Sequence, residues 1–174
     1  MNERTIGGML MNKKEISEID VMKNFHVYAI APFYNEVYSS QILTYDHGKF
    51  SLSKDVYHLL DDICIYFGAD LNGRLKSARR TLKIRKNPPI IISEEKAMVA
   101  CQLPYVGHLE PLWVIDLNFD VEPVDKNHCY VVFRNKERFF IKLSADKVWE
   151  RRRLALALLS ETKYVAGKPS FISL

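Results

Sequence analysis

The hydrophobic positions of this chain alternate between extended and helical periods. From Phe25 to Phe33 and from Val37 to Tyr45, aromatic and β-branched residues are dense, and Pro32 to Glu36 part the two runs, which predicts a β-hairpin. An Asp46-His47-Gly48 turn ends it, and a short extended piece around Phe50 follows. Val56, Leu59, Leu60, Ile63, Cys64 and Phe67 then recur at three and four residues, the spacing of one helical face. Ser53 suits the N-cap, because its hydroxyl can accept an unpaired backbone N–H, and Gly68 suits a left-handed end.

Asp70 to Gly73 reads as a turn, and Leu75, Ala78 and Leu82 beyond it predict a short helix. Asn87-Pro88-Pro89 ends that helix, since the residue before a proline avoids helical angles. The pattern then turns extended again. Ile90 to Ile92 and Ala97 to Leu103 flank Glu94-Glu95-Lys96, and Trp113, Ile115, Leu117 and Phe119 alternate with polar positions like a half-buried strand. Tyr130 to Phe133 and Phe139 to Leu143 form a hairpin around Asn135-Lys136, and Ser144 caps a final helix through about Thr162, with Trp149 on its core side. The expected fold is α+β: a single domain of antiparallel β-hairpins or sheet with a central amphipathic helix, a short basic helix and a C-terminal helix. Residues 1–24 are expected to be a flexible N-terminal segment, 25–163 the folded domain and 164–174 a short tail.

Composition adds little until charge is placed along the chain. A length of 174 residues with 48% apolar content fits one globular domain. The longest apolar run, Leu154 to Leu159, is far short of a bilayer span, so no membrane role and a cytoplasmic location are expected. Cys64, Cys101 and Cys129 are too far apart for a disulfide framework or a zinc site and read as small buried thiols.

Net charge is only +4, yet Arg74, Lys76, Arg79, Arg80, Lys83, Arg85 and Lys86 fall within one short stretch that holds no carboxylate. The rest of the chain is therefore net negative. A phosphate backbone attracts such a cluster by counterion release, and the arginine fork matches phosphate oxygens or narrow minor grooves. The other reading of the same residues is a solvated helix face. Arg151, Arg152 and Arg153 form a second cluster, of which Arg151 and Arg152 are candidate contacts.

Enzyme signatures are missing: no nucleophile elbow, phosphate-binding glycine loop or dinucleotide fingerprint occurs. His128-Cys129 is a poor metal pair, because neighbours on a strand face opposite ways. Asp116, Asp120, Glu122 and Asp125 could serve a metal-dependent nuclease, but a polar strand face and the loop after it account for them. Asp61 and Asp62 fall on the outer face of the amphipathic helix. No cofactor is expected.

One resemblance sharpens this picture. Cys64-Ile65-Tyr66-Phe67-Gly68, then Gly73-Arg74, then Pro88-Pro89-Ile90 resembles the central signature of ComK proteins, with a basic stretch between its second and third pieces. The likeness runs more faintly from the first hairpin to the last helix. It implies a transcription activator that turns on DNA-uptake genes, binding AT-rich double-stranded DNA largely through the minor groove as a homodimer or larger homo-oligomer. Nucleoid association and contact with the transcription machinery would follow. Arg74 is where signature and charge coincide, while Gly68 and Gly73 read as backbone devices at a helix end and a turn. The chain departs from the family at Leu112, where a cysteine would precede Trp113, and at Asn135-Lys136, where Asn-Gly would suit a type I′ turn. The longer C-terminal extension that carries an adaptor-protease docking segment has no counterpart after Leu174, so control by that adaptor is not carried over. A competing reading is a non-catalytic protein whose basic helix docks an acidic protein partner.

Overall fold

The computed structural model describes residues 3–5 and 16–166. Chain order is β1 (Glu3–Thr5), α1 (Glu18–Asn24), β2 (Val27–Pro32), β3 (Ser40–Thr44), β4 (Lys49–Leu52), α2 (Val56–Tyr66), α3 (Leu71–Leu82), β5 (Ile90–Ser93), β6 (Met98–Leu103), β7 (Leu112–Val114), β8 (Asp120–Asp125), β9 (His128–Val132), β10 (Arg138–Ile141) and α4 (Ala145–Ala166). Among the described residues, a seven-stranded sheet has the order β1-β4-β3-β2-β7-β6-β5, and a small sheet has the order β10-β9-β8. All pairings are antiparallel except β1 with β4. The fold is α+β.

The large sheet is buried on both faces, so β2 and β5 read as near-continuous apolar runs instead of alternating ones, while β3 and β4 bury Ser40, Gln41, Thr44 and Ser51. On one side Ile30, Ile42, Phe50, Ile90, Ile92, Ala100 and Trp113 pack against Val21 and Met22 of α1 and the Val56–Cys64 face of α2. On the other, Leu43, Ile91, Val99, Cys101, Leu112 and Val114 meet the small sheet (Cys129, Val131, Phe139, Ile141) and α4 (Val148, Ala155, Leu158). All three cysteines are free and buried, as expected.

Several expectations are corrected. Residues 18–24, placed in a flexible segment, form a helix with a capping box: Ser17 accepts from Asp20 N–H at 3.1 Å, and Asp20 accepts from Ser17 N–H at 3.2 Å. The mixed charges around it hid two neighbouring apolar residues, Val21 and Met22, that are wholly buried. Residues 1–2 and 6–15 of that segment, and 167–174 of the expected tail, lie outside the described residues. The cap of α2 is Asp55, not Ser53, because the capping side chain has to sit directly before the first helical residue; Asp55 accepts from His58 N–H at 2.8 Å. At the other end Gly68 (φ 112°) does close the helix, with Gly68 N–H donating to Ile65 and Ala69 N–H to Cys64.

Asp70 to Gly73 is the first turn of α3, not a loop: Asp70 caps it by accepting from Gly73 N–H at 2.7 Å. A Cβ on Gly73 would itself lie 2.7 Å from that carboxylate oxygen, so glycine leaves room for the cap. The strand expected over Trp113–Phe119 stops at Val114, where the consecutive N–H groups of Ile115 and Asp116 both donate to the Tyr28 carbonyl. Leu117 and Phe119 are buried all the same. The alternation records burial, not strand. Trp149, placed in the core, is 37% exposed, with its ring stacked on Phe119 at 5.7 Å.

Candidate nucleic-acid interface

Helix α3 packs against α2, α4 and β5 with Leu71 and Ala78 buried and Arg74, Leu75 and Leu82 partly buried, which leaves an outer face to solvent. Lys76, Arg79 and Arg80 are exposed there, and Arg79 and Arg80 stand in the last turn, where cations favour the negative end of the helix dipole. The helix ends on Lys83 in the left-handed conformation (φ 55°, ψ 38°). Ile84 N–H donates to the Arg79 carbonyl at 3.2 Å, and Arg79 Nε donates to the Arg85 carbonyl at 3.1 Å. Gln102 Nε2 fixes the Pro88 carbonyl at 3.0 Å. These bonds fold residues 83–87 back on the helix end, with Lys83, Arg85 and Lys86 exposed. Among the described residues, no carboxylate forms an ion pair with Lys76, Arg79, Arg80, Lys83, Arg85 or Lys86.

The other three candidate arginines are placed differently. Arg74 is half-buried: its Nη2 donates to the Phe67 carbonyl at 2.8 Å, and its buried Nε has no hydrogen-bond partner among the described residues. It ties α3 to the end of α2. Arg151 Nη1 donates to the Gln102 carbonyl at 2.7 Å, and burial pulls the Arg151 pKa down. Arg152 Nε donates to the Leu117 carbonyl at 2.6 Å, while its guanidinium lies 5.7 Å from the Trp149 ring centre. These two arginines tie α4 to β6 and to the segment after β7 through backbone carbonyls. Within the arginine run, Arg153 alone is exposed.

One cation gave no signal in the sequence. Lys147 lines a cleft of about 230 Å³ with Lys86, Asn87, Glu150 and Arg151, so α4 extends the basic surface past the α3–β5 loop. An isolated lysine in a mixed-charge helix has nothing to mark it. Another unforeseen feature is Leu109, 104% exposed, on the rim of a cleft of about 310 Å³ shared with Leu75, Arg79 and Asn87.

Three of the four carboxylates weighed for metal chemistry have other partners. Asp116 accepts from the Tyr45 hydroxyl at 2.6 Å, Glu122 pairs with Arg138, and Asp125 holds His128 at 3.0 Å. Asp120, Glu122 and Asp125 are spread along β8, which is a strand where a loop was expected, and no group of three metal-ligating side chains occurs among the described residues. Asp61 accepts from Leu71 N–H at 2.8 Å and Asp62 pairs with Lys54 at 2.7 Å, so both have structural partners. No helix is long and apolar enough to cross a membrane among the described residues.

No curated protein and no solved structure matches the chain. A family model described as ComK protein matches residues 21–164, from the buried end of α1 to the last turns of α4. With most of the chain matched, and with Arg74 of the Gly73-Arg74 piece bonded to the Phe67 carbonyl of the Phe67-Gly68 piece, the chain belongs to the ComK family of competence transcription factors.

Proposed function

We propose that the chain is a DNA-binding activator of DNA-uptake genes that recognises AT-rich duplex largely through the minor groove, acting as a homodimer or larger homo-oligomer. The observation that carries this reading is the outer face of α3 with its following loop. Lys76, Arg79, Arg80, Lys83, Arg85 and Lys86 are exposed there, and none is neutralised by a carboxylate among the described residues. Unpaired cations on a rigid element release counterions from a phosphate backbone without first breaking ion pairs. AT-rich minor grooves are narrow and strongly negative, and arginine enters them readily. Lys147 widens the same surface, and two copies would double the phosphate contacts. Arg74, Arg151 and Arg152 support the surface through backbone carbonyls.

The test is a salt titration of binding to two labelled duplexes, one AT-rich and one GC-rich. If the six exposed cations each meet a phosphate, log affinity falls against log salt with a slope of about −5. A steep slope with clear AT preference supports the reading. Weak, equal binding to both duplexes overturns it and favours an acidic protein partner. Self-association is checked by sedimentation of the free protein and of its complex.

A further inference from the structure

We propose that Leu109 is an apolar wedge that enters the bound duplex beside the basic helix and opens a base step. The inference rests on the DNA-binding reading and adds to it a residue with a different task. Leu109 is 104% exposed, whereas the other exposed large apolar side chains among the described residues range from 36% to 64%. A single exposed apolar residue is ordinary on a surface. This one combines full exposure, a braced loop and a cleft shared with Arg79 of the basic helix.

The loop is held on both sides of Leu109. Before it, Val106 N–H donates to the Phe140 carbonyl at 3.0 Å, and the His108 ring stacks on Tyr105 at 4.3 Å. Gly107, at φ 85°, turns the chain outward. After it, the Glu110 carboxylate accepts from Tyr57 N–H at 3.1 Å and from the Tyr34 hydroxyl. That second bond, the main cause, raises the Tyr34 pKa to about 12 and keeps the phenol a donor. The side chain is thus presented from a fixed platform, so inserting it costs little ordering.

Its neighbours select the partner. Leu109 lines a cleft with Leu75 and Arg79 of α3, with Asn87 and with Glu110, whose carboxylate is taken up by Tyr34 and Tyr57. An uncovered apolar side chain beside Arg79, at the edge of the basic face of α3, matches a duplex, which offers phosphates at its edge and apolar base faces inside. Minor-groove proteins insert leucine and similar side chains between base steps in this way, and TA steps unstack most readily. Leu109 would then add preference for AT-rich sites through deformability, without a hydrogen bond to any base.

The experiment uses the full chain and AT-rich duplexes carrying 2-aminopurine in place of adenine at successive positions. Wild-type protein should raise the fluorescence at one step. Leu109→Ala should abolish that rise and weaken binding by about tenfold, with the salt slope and melting temperature unchanged. Leu109→Met should restore the rise. Duplex binding without any fluorescence rise in the wild type overturns the wedge and leaves the DNA-binding reading standing. So does Leu109→Ala with wild-type affinity and fluorescence. A variant that dissociates into monomers with its fluorescence rise intact overturns the wedge in favour of contact with a second copy. A wild type that shows no salt-dependent binding removes both readings together.

Discussion

Arg74 is the residue on which sequence and structure make opposite demands, and replacing it decides between them. It belongs to the family signature and to the basic run, yet its guanidinium donates to the Phe67 carbonyl at 2.8 Å and its Nε is buried. A hydrogen bond from a charged donor contributes about 1.5–3 kcal/mol, and the unpaired Nε offsets part of that. Arg74→Ala should therefore destabilise the fold by about 1–2 kcal/mol, lowering the melting temperature by about 2–8 °C for a chain of this size. The slope of log affinity against log salt should not change, because no phosphate contact is lost. Circular dichroism melts and the AT-rich titration, run on one preparation, read both quantities. Native melting together with a slope shallower by about one would refute the reasoning and make Arg74 a phosphate contact.

Three further outcomes are expected. Reversing charge at Arg79 and Arg80 together should remove most DNA affinity and make the salt slope shallower by about 2, while the melt stays native because both side chains are exposed; binding retained at moderate salt would place the interface elsewhere. Leu60→Ala, at a side chain with no exposure, should cost about 2–5 kcal/mol in urea unfolding, and Phe67→Ala less, since Phe67 is only partly buried; near-native stability of Leu60→Ala would show the buried face of α2 to be wrong. Burial pushes the Cys64 and Cys101 thiols up to about 12 and raises Cys129, so the native thiols should resist a thiol reagent at pH 8 and react once urea is added. Because the folded pKa values exceed the unfolded value of about 8.5, this contribution to stability is complete below that pH and is lost as pH rises towards the folded values. Rapid labelling of the folded protein would contradict the burial.

The legible parts of the fold were those in which one residue's environment follows from its near neighbours. Helix α2 buries a single face, so Val56, Leu59, Leu60, Ile63 and Cys64 announced it, and Gly68 marked its end. Strand β8 announced nothing, because Asp120, Glu122, Pro123 and Asp125 lie exposed and carry no apolar alternation. Helix α1 was obscured by its charged neighbours. The turn after β9 centres on Arg134 and Asn135, with Lys136 N–H donating to Phe133 and Lys136 left-handed (φ 69°) after it, so it is not the two-residue type I′ turn that Asn-Gly would suit.

The sequence by itself determined the α+β class, the amphipathic helix, the buried thiols, the family and the place of a dense basic segment. These depend on periodicity, composition and local spacing, which the chain carries wherever it folds. Only the tertiary structure decided the strand order, the two-sided burial of the large sheet and the use to which each arginine is put. Arg79 and Arg74 are both arginines of one helix, yet the first is exposed and the second reaches a carbonyl of α2's end. What separates them is which side of α3 meets its neighbours, and that is set by the packing of α2, β5 and α4 around it. Leu109 and Lys147 join the basic surface for the same reason: residues distant in sequence become neighbours only when the sheet closes the long loops between them.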